Sequence, residues 1–226
     1  DIEFNISNIK YDLVIVSQGK HVWNSIRKVN AKKIINIVHS EVLPPIEDPI
    51  IDPKIDSYVG IRPSIVKYIK QKVTDKEVKL IYNPFDFSRF NPDNCKKDDG
   101  ENEVVLFPGS LDYLRVNAIK DLINLSEKEN FKVIHVGRND GLLGEAENHP
   151  NFSSHESTWD IEKYYRQCDI VSGIFLGRPS IEGLLCGKRV LQFDVDKTGD
   201  VKKMYWHSEG DLQKFDKNLI AEQLTS

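Results

Sequence analysis

An α/β protein made of two Rossmann-like lobes is predicted by three features of this 226-residue sequence. Short β-branched runs alternate with amphipathic segments of helical period. A polar stretch, "DFSRFNPDNCKKDDGENE", interrupts the alternation once, and the alternation then restarts. Strand–helix–strand repetition implies right-handed crossovers and parallel sheets. The expected parts are an N-terminal lobe over 1–84, a linker over 85–100 and a C-terminal lobe over 101–226. The first lobe shows four strands and two helices, about half of a dinucleotide-type unit, and is read as incomplete.

The elements follow in order. "DLVIVSQ" is a β-branched strand bounded by polar residues, and "HVWNSIRKVN" places apolar residues at 22, 23, 26 and 29, a helical spacing. "KKIINIVHS" is the second strand. "LPPIEDPIIDP" carries four prolines and reads as loop. "SYVGI" is a third strand. "PSIVKYIKQKV" opens with Pro63 at a helix start and sets Ile65, Ile69 and Val73 on one stripe. "KLIYNPF" closes the lobe as a strand. In the second lobe "EVVLFPGS", "KVIHVGR", "DIVSGIF" and "KRVLQFD" read as strands. "VNAIKDLINLSEKE", "DIEKYYRQC", "PSIEGLLCG" and "DLQKFDKNLIAEQL" read as helices, the first with its stripe at 116, 119, 122, 123 and, at its margin, 125.

Composition excludes several classes. Lys and Arg number 31 against 35 Asp and Glu, for a net charge of −4, and no block of like charge stands out. Nucleic acid is therefore not an expected partner. Apolar runs are strand-sized, so no membrane span is expected, and peripheral association stays open. The cysteines, Cys95, Cys168 and Cys186, lack motif spacing, which argues against a disulfide framework and for a reducing, cytoplasmic setting. No CxxC or HExxH occurs, so neither a metal nor a cofactor is expected. Residue 1 is Asp and the sole methionine is Met204, so the sequence reads as a processed form or as a piece of a longer chain.

The stretch "GRPSIEGLLCGKRVLQF", residues 177–193, carries the chemistry. An apolar strand delivers the chain to Gly177, and a helix opens near Pro179 or Ser180, whose hydroxyl suits a cap. In open α/β sheets ligands bind at the carboxyl ends of strands, where bare helix amides favour phosphate. Gly177 permits close backbone approach, and Arg178 adds a charge-assisted donor. Glu182 has two readings. A carboxylate in the first turn gains about 0.3–1 kcal/mol from the helix dipole, or it accepts hydrogen bonds from ribose hydroxyls.

"EGLLCGKRV" resembles the "EAMACGKPV" signature of GT-B glycosyltransferases, family 4 in particular. Other segments are similar in the same order: "IYNPFDFSRFNP" to "IPNGVDTERFKP", "LFPGSLDYLR" to "VGRLDPEKG", "VIHVGRND" to "LVIVGDGP", "HPNFSSHESTWDIEKYYRQCDIVSG" to "NVIFLGFVPDEELPELYAAADVFV", and "IVHSE" to "TVHD". The resemblance spans residues 11 to 200. It implies a GT-B fold and metal-independent transfer of a sugar, of the hexosyltransferase type, from a nucleoside diphosphate-sugar to a hydroxyl on a glycan, a lipid-linked or a protein acceptor, in glycan or polysaccharide biosynthesis. It implies that Glu182 binds ribose, that the turn at Gly109 and Ser110 with Arg115 meets the diphosphate, and that His39 lies by the transferred sugar.

The sequence also departs from the family pattern. Ile174 stands where the family carries the first Glu of an E-x7-E pair, and Ser110 stands where it carries an Arg. Each site residue has a plainer alternative: a strand-end His39, a solvated Arg115, an Arg178 in a surface ion pair. Trp159 is read as a packing residue rather than a base-stacking platform. The "DVD" at Asp194 and Asp196 follows a strand and is not read as a metal site. Two rival functions remain: a nucleotide-sugar epimerase of the same fold, and a non-catalytic or truncated nucleotide-sugar-binding module.

Overall fold

The structure is a computed structural model that describes residues 9–17, 20–39, 48–97 and 103–207. The chain divides into two compact units, Asp1–Asn83 and Pro84–Ser226. The helix expected over "DLQKFDKNLIAEQL" lies outside the described residues. Among the described residues no helix is long and apolar enough to cross a membrane.

The first unit holds strands β1 (Lys10–Val16), β2 (Asn30–Val38), β3 (Ser57–Gly60) and β4 (Glu77–Leu80), with helices α1 (Lys20–Ile26) and α2 (Pro63–Lys72). The four strands pair in chain order and all are parallel. Pro63 sits in the first turn of α2, and Ile65, Ile69 and Val73 are all buried against the sheet. Of the proline-rich loop before β3, the described part from residue 48 onward is pinned. Asn36 donates from Nδ2 to the Val16 carbonyl at 2.9 Å and accepts the Ile50 N–H at 2.9 Å. Trp23 Nε1 donates to Asp52 at 2.8 Å. Ile50 and Ile55 thereby reach the core.

The second unit is doubly wound. Its strands are β5 (Val104–Pro108), β6 (Lys132–Val136), β7 (Phe152–His155), β8 (Ile170–Ile174), β9 (Arg189–Val195) and β10 (Val201–His207). The order across the sheet is β10-β9-β8-β5-β6-β7. The first five are parallel in chain order, and β10 runs antiparallel to β9. Helices α3 (Val116–Glu129), α4 (Glu162–Tyr165) and α5 (Arg178–Leu185) connect them. Chain order reverses between β5 and β8, which makes their carboxyl ends the switch point where ligands bind in such sheets.

Several expectations are corrected. The segment over 85–97 is not a linker in its packing: Phe85, Phe90 and Cys95 are buried anchors, and Phe90 and Cys95 join the core of the second unit. Arg89 pairs with Glu162, and Lys97 Nζ donates to Asp169 at 2.7 Å. The polar composition masked three apolar anchors five residues apart. The stripe of α3 is Ala118, Ile119, Leu122, Ile123 and Ser126, while Val116 and Leu125 are only half-buried. Helix α4 is a single turn. Strands β7 and β10 were not legible: β7 is four residues long and mostly exposed, and β10 is an exposed edge strand. Trp159 is 93% exposed, against the packing role expected for it.

Helix α5 lies close on β8. A Cβ added at Gly183 would stand 2.7–2.8 Å from Val171 Cγ2 and Cβ. Overpacking of this kind costs about 1–3 kcal/mol. We expect Gly183→Ala to lower the denaturant midpoint accordingly, with an unchanged slope. A variant as stable as the wild type would mean that α5 does not seat this closely.

Candidate functional site

The loops after β5 and β8 leave the sheet at the switch point and enclose a cavity of about 190 Å3. Its walls come from Pro108, Gly109, Ser110, Asp112 and Arg115 on one side and from Ser172, Ile174, Gly177, Pro179 and Ser180 on the other. Of the residues singled out in the sequence, the cavity therefore brings together Gly109, Ser110, Arg115, Gly177 and Ser180. Ile174, at the position of the missing carboxylate, is an apolar wall residue, 6% exposed.

Charge in the cavity is balanced. The Arg115 guanidinium pairs with the Asp112 carboxylate, which also accepts the amides of Leu114 at 3.0 Å and Arg115 at 3.1 Å. The helix N-cap of α5 is Gly177, with no side-chain cap. Ser180 does not cap the helix, contrary to the sequence reading. Its hydroxyl is buried and accepts Gln192 Nε2 at 2.8 Å.

Two buried polar side chains that the sequence reading passed over hold the two turns. Gln192, on β9, bonds Ser180 and accepts the Leu176 N–H on Oε1 at 2.6 Å. This supports a turn whose Phe175 and Leu176 both have positive φ, of 56° and 46°, a strained geometry that persists only where surroundings enforce it. His135, on β6, lies between Ser154 Oγ and the Gly109 carbonyl, each at 2.9 Å. The available signal was a polar residue within an apolar strand, in "KVIHV" and "RVLQF". Ser172 was also missed. Its hydroxyl is buried with no partner among the described residues, and the residue belongs to the cavity wall.

Arg178 and Glu182 lie apart from these walls. Arg178 Nε donates to Glu182 Oε1 at 2.8 Å, one turn along α5, and its guanidinium carbon stands 5.9 Å from the Phe85 ring centroid. The Glu182 side chain is only 9% exposed, and its Oε2 accepts the Tyr165 hydroxyl at 3.3 Å. Burial pushes the Glu182 carboxyl above its ordinary pKa, and Arg178 and Tyr165 oppose that rise. The plain reading of Arg178 as an ion-pair partner thus describes its contacts here.

His39 follows β2 in the first unit and is exposed. Asp196 organises the turn between β9 and β10: its Oδ1 accepts the Thr198 N–H and hydroxyl at 2.9 and 2.6 Å and the Asp200 N–H at 3.1 Å. The Thr198 hydroxyl, with Lys202, holds the Asp196 pKa well below the carboxylate range. All three cysteines are buried, and burial pushes the Cys168 thiol up to about 12, so it serves packing rather than nucleophilic chemistry.

No family model matches the sequence. No curated protein matches it either. Solved structures do share the fold. Anabaena Alr3699/HepE in complex with UDP and glucose aligns with a TM-score of 0.58 at 17% identity, covering 79% of this chain and 58% of that one. The same protein in complex with UDP-glucose gives 0.59 at 17% identity, with coverages of 83% and 60%. A glycosyltransferase from Rickettsia africae ESF-5 gives 0.61 at 15% identity, with coverages of 91% and 65%. This chain spans less than two thirds of each of those chains. The fold of the chain is one that glycosyltransferases adopt.

Proposed function

We propose that the chain is a glycosyltransferase that moves a sugar from a nucleoside diphosphate-sugar to an acceptor hydroxyl, and that the switch-point cavity holds the diphosphate. The observation that carries this reading is the cavity itself. It sits at the carboxyl ends of β5 and β8, is lined by glycine backbone, hydroxyls and one arginine paired with Asp112, and opens at the start of α5. At about 190 Å3 it suits a diphosphate. A whole ligand of drug size fills roughly 300–1,000 Å3, so base and sugar would extend beyond it. Departure of the diphosphate is the step that needs help. Fixed amides and Arg115 would stabilise the charge that develops on the leaving oxygen, without a metal. The UDP and UDP-glucose complexes of the Anabaena neighbour support uridine as the first base to test.

The test is calorimetry with UDP and GDP, followed by turnover of the matching sugar donor. Binding by neither nucleotide removes the proposal. Binding without transfer or hydrolysis favours the non-catalytic module, a reading supported by Ile174 in the cavity wall. Interconversion of the donor sugar would favour an epimerase.

Two variants sharpen the assignment. Arg115→Ala should weaken UDP binding about 10–100-fold, the worth of a charge-assisted hydrogen bond of about 1.5–3 kcal/mol. Ser172→Ala removes a buried hydroxyl that is left unsatisfied at a cost of about 1–3 kcal/mol. It should therefore hold or raise the melting temperature while weakening UDP. A Ser172→Ala protein that loses stability and keeps full affinity would take Ser172 out of the site.

A further inference from the structure

We propose that His135 is a positioning residue for anion binding: its ring holds the Gly109 carbonyl so that the Ser110 N–H is aimed into the cavity. This rests on the reading of that cavity as a diphosphate site.

The imidazole has two partners, the Gly109 carbonyl and the Ser154 hydroxyl. A carbonyl oxygen only accepts, so the contact at 2.9 Å to Gly109 makes Nε2 the protonated nitrogen. In the neutral ring Nδ1 then accepts the Ser154 hydroxyl at 2.9 Å. A proton chain runs from Ser154 on β7, through His135 on β6, to the turn after β5. Strand order supplies the direction. β6 lies on one side of β5 and β8 on the other, so the Gly109 carbonyl is drawn toward β6, away from the cavity between β5 and β8. In a trans peptide the N–H opposes the carbonyl, and the Ser110 N–H therefore faces the β8 side. Gly137 backs the same peptide: a Cβ there would stand 2.4 Å from the Gly109 oxygen and 2.9 Å from the Ser110 nitrogen. The loop is tied further by Gly109 N–H to Val136 and Leu111 N–H to Arg138, both 2.8 Å. An amide fixed in this way costs no reorganisation when an anion arrives.

His135 is fully buried, and burial lowers its pKa from the ordinary histidine value. Among the groups that face it, His155 lowers it further, while Glu147, Glu156 and the Gly109 carbonyl oppose the shift. The unfolded chain takes up this proton first, near pH 6.5. The contribution of His135 to folding stability is therefore full well above about pH 6.5 and is lost as pH falls through that value toward the folded one. A variant without a titrating group at 135 should flatten that decline.

The experiment compares wild type with His135→Gln, whose amide can still donate to Gly109, and His135→Leu, which cannot. Calorimetry with UDP at pH 7.5 is paired with the 15N-resolved amide resonance of Ser110. We expect His135→Leu to bind UDP at least tenfold more weakly and to shift the Ser110 resonance, and His135→Gln to stay within about threefold of wild type. Equal affinity in His135→Leu overturns the proposal. So does a folded His135→Gln that binds as poorly as the leucine variant. Imidazole 15N shifts of the wild type give a reading independent of variant folding: a ring protonated on Nδ1 alone also overturns it. Should wild type bind no nucleoside diphosphate, the parent function fails, and the Ser110 resonance then decides the positioning role. If it does not move in His135→Leu, His135 does not hold this peptide.

Discussion

Replacing Gly137 by alanine should destabilise the second unit by about 3 kcal/mol or more and abolish nucleotide binding together with it. The added Cβ would fall 2.4 Å from the Gly109 oxygen and 2.5 Å from its carbonyl carbon. Both are backbone atoms, which no rotamer change can move aside. Gly137 also has φ of 156°, where side chains rarely sit. Relief requires the 109–110 peptide to move, and that peptide forms the cavity wall and the bond to His135. Melting should fall by roughly 10 °C for a unit of this size. The check is thermal and denaturant unfolding alongside UDP titration. A variant that loses under about 1 kcal/mol, or that keeps wild-type affinity, would show that β6 does not press on this turn.

The second large effect concerns Glu182, where two roles make different forecasts. Its carboxylate is held by Arg178 and Tyr165, so Glu182→Gln should cost some stability in any case. Arg178 is half-exposed, and solvent screening limits that cost to about 1 kcal/mol. If Glu182 also accepts ribose hydroxyls, as the resemblance to family 4 implies, the variant should lose about 1.5–3 kcal/mol of nucleotide affinity, or 10–100-fold. The discriminating measurement pairs UDP with 2′-deoxy-UDP. Wild type should prefer the ribonucleotide, and Glu182→Gln should lose that preference. Unchanged discrimination in the variant would leave Glu182 as the partner of Arg178 and nothing more, and would move the ribose contact elsewhere.

The sequence reading and the structure part company at particular residues. Period and β-branching located β1, β2, β3, β5, β6, β8 and β9, because a buried strand or helix face must be apolar at its own period. The strand expected over "KLIYNPF" ends earlier, at Leu80. Edge strands obey that rule weakly: β10 shows "VKKMYWH" to solvent on most positions and carries no clear alternation. The segment over 85–97 misled in the opposite direction, since three buried anchors are enough to dock a chain that is otherwise polar. In the site, the turn at Gly109 and Ser110 and the helix opening after Gly177 were legible as turn and helix-start chemistry, whereas Ser180 bonds Gln192 rather than capping the helix. His135 and Gln192 were not, because a polar residue in a strand does not reveal which backbone group it will meet.

The sequence by itself determined that this is an α/β protein with repeated strand–helix–strand units and a helix opening at residues 177–180, because local period and turn chemistry are properties of neighbouring residues. Only the tertiary structure decided which loops meet across the β5–β8 switch point, that Arg178 and Glu182 face each other rather than the cavity walls, and which buried side chain fixes each turn. Those outcomes depend on strand order and side-chain burial, which join residues such as Gly109 and His135, or Leu176 and Gln192, that are distant along the chain.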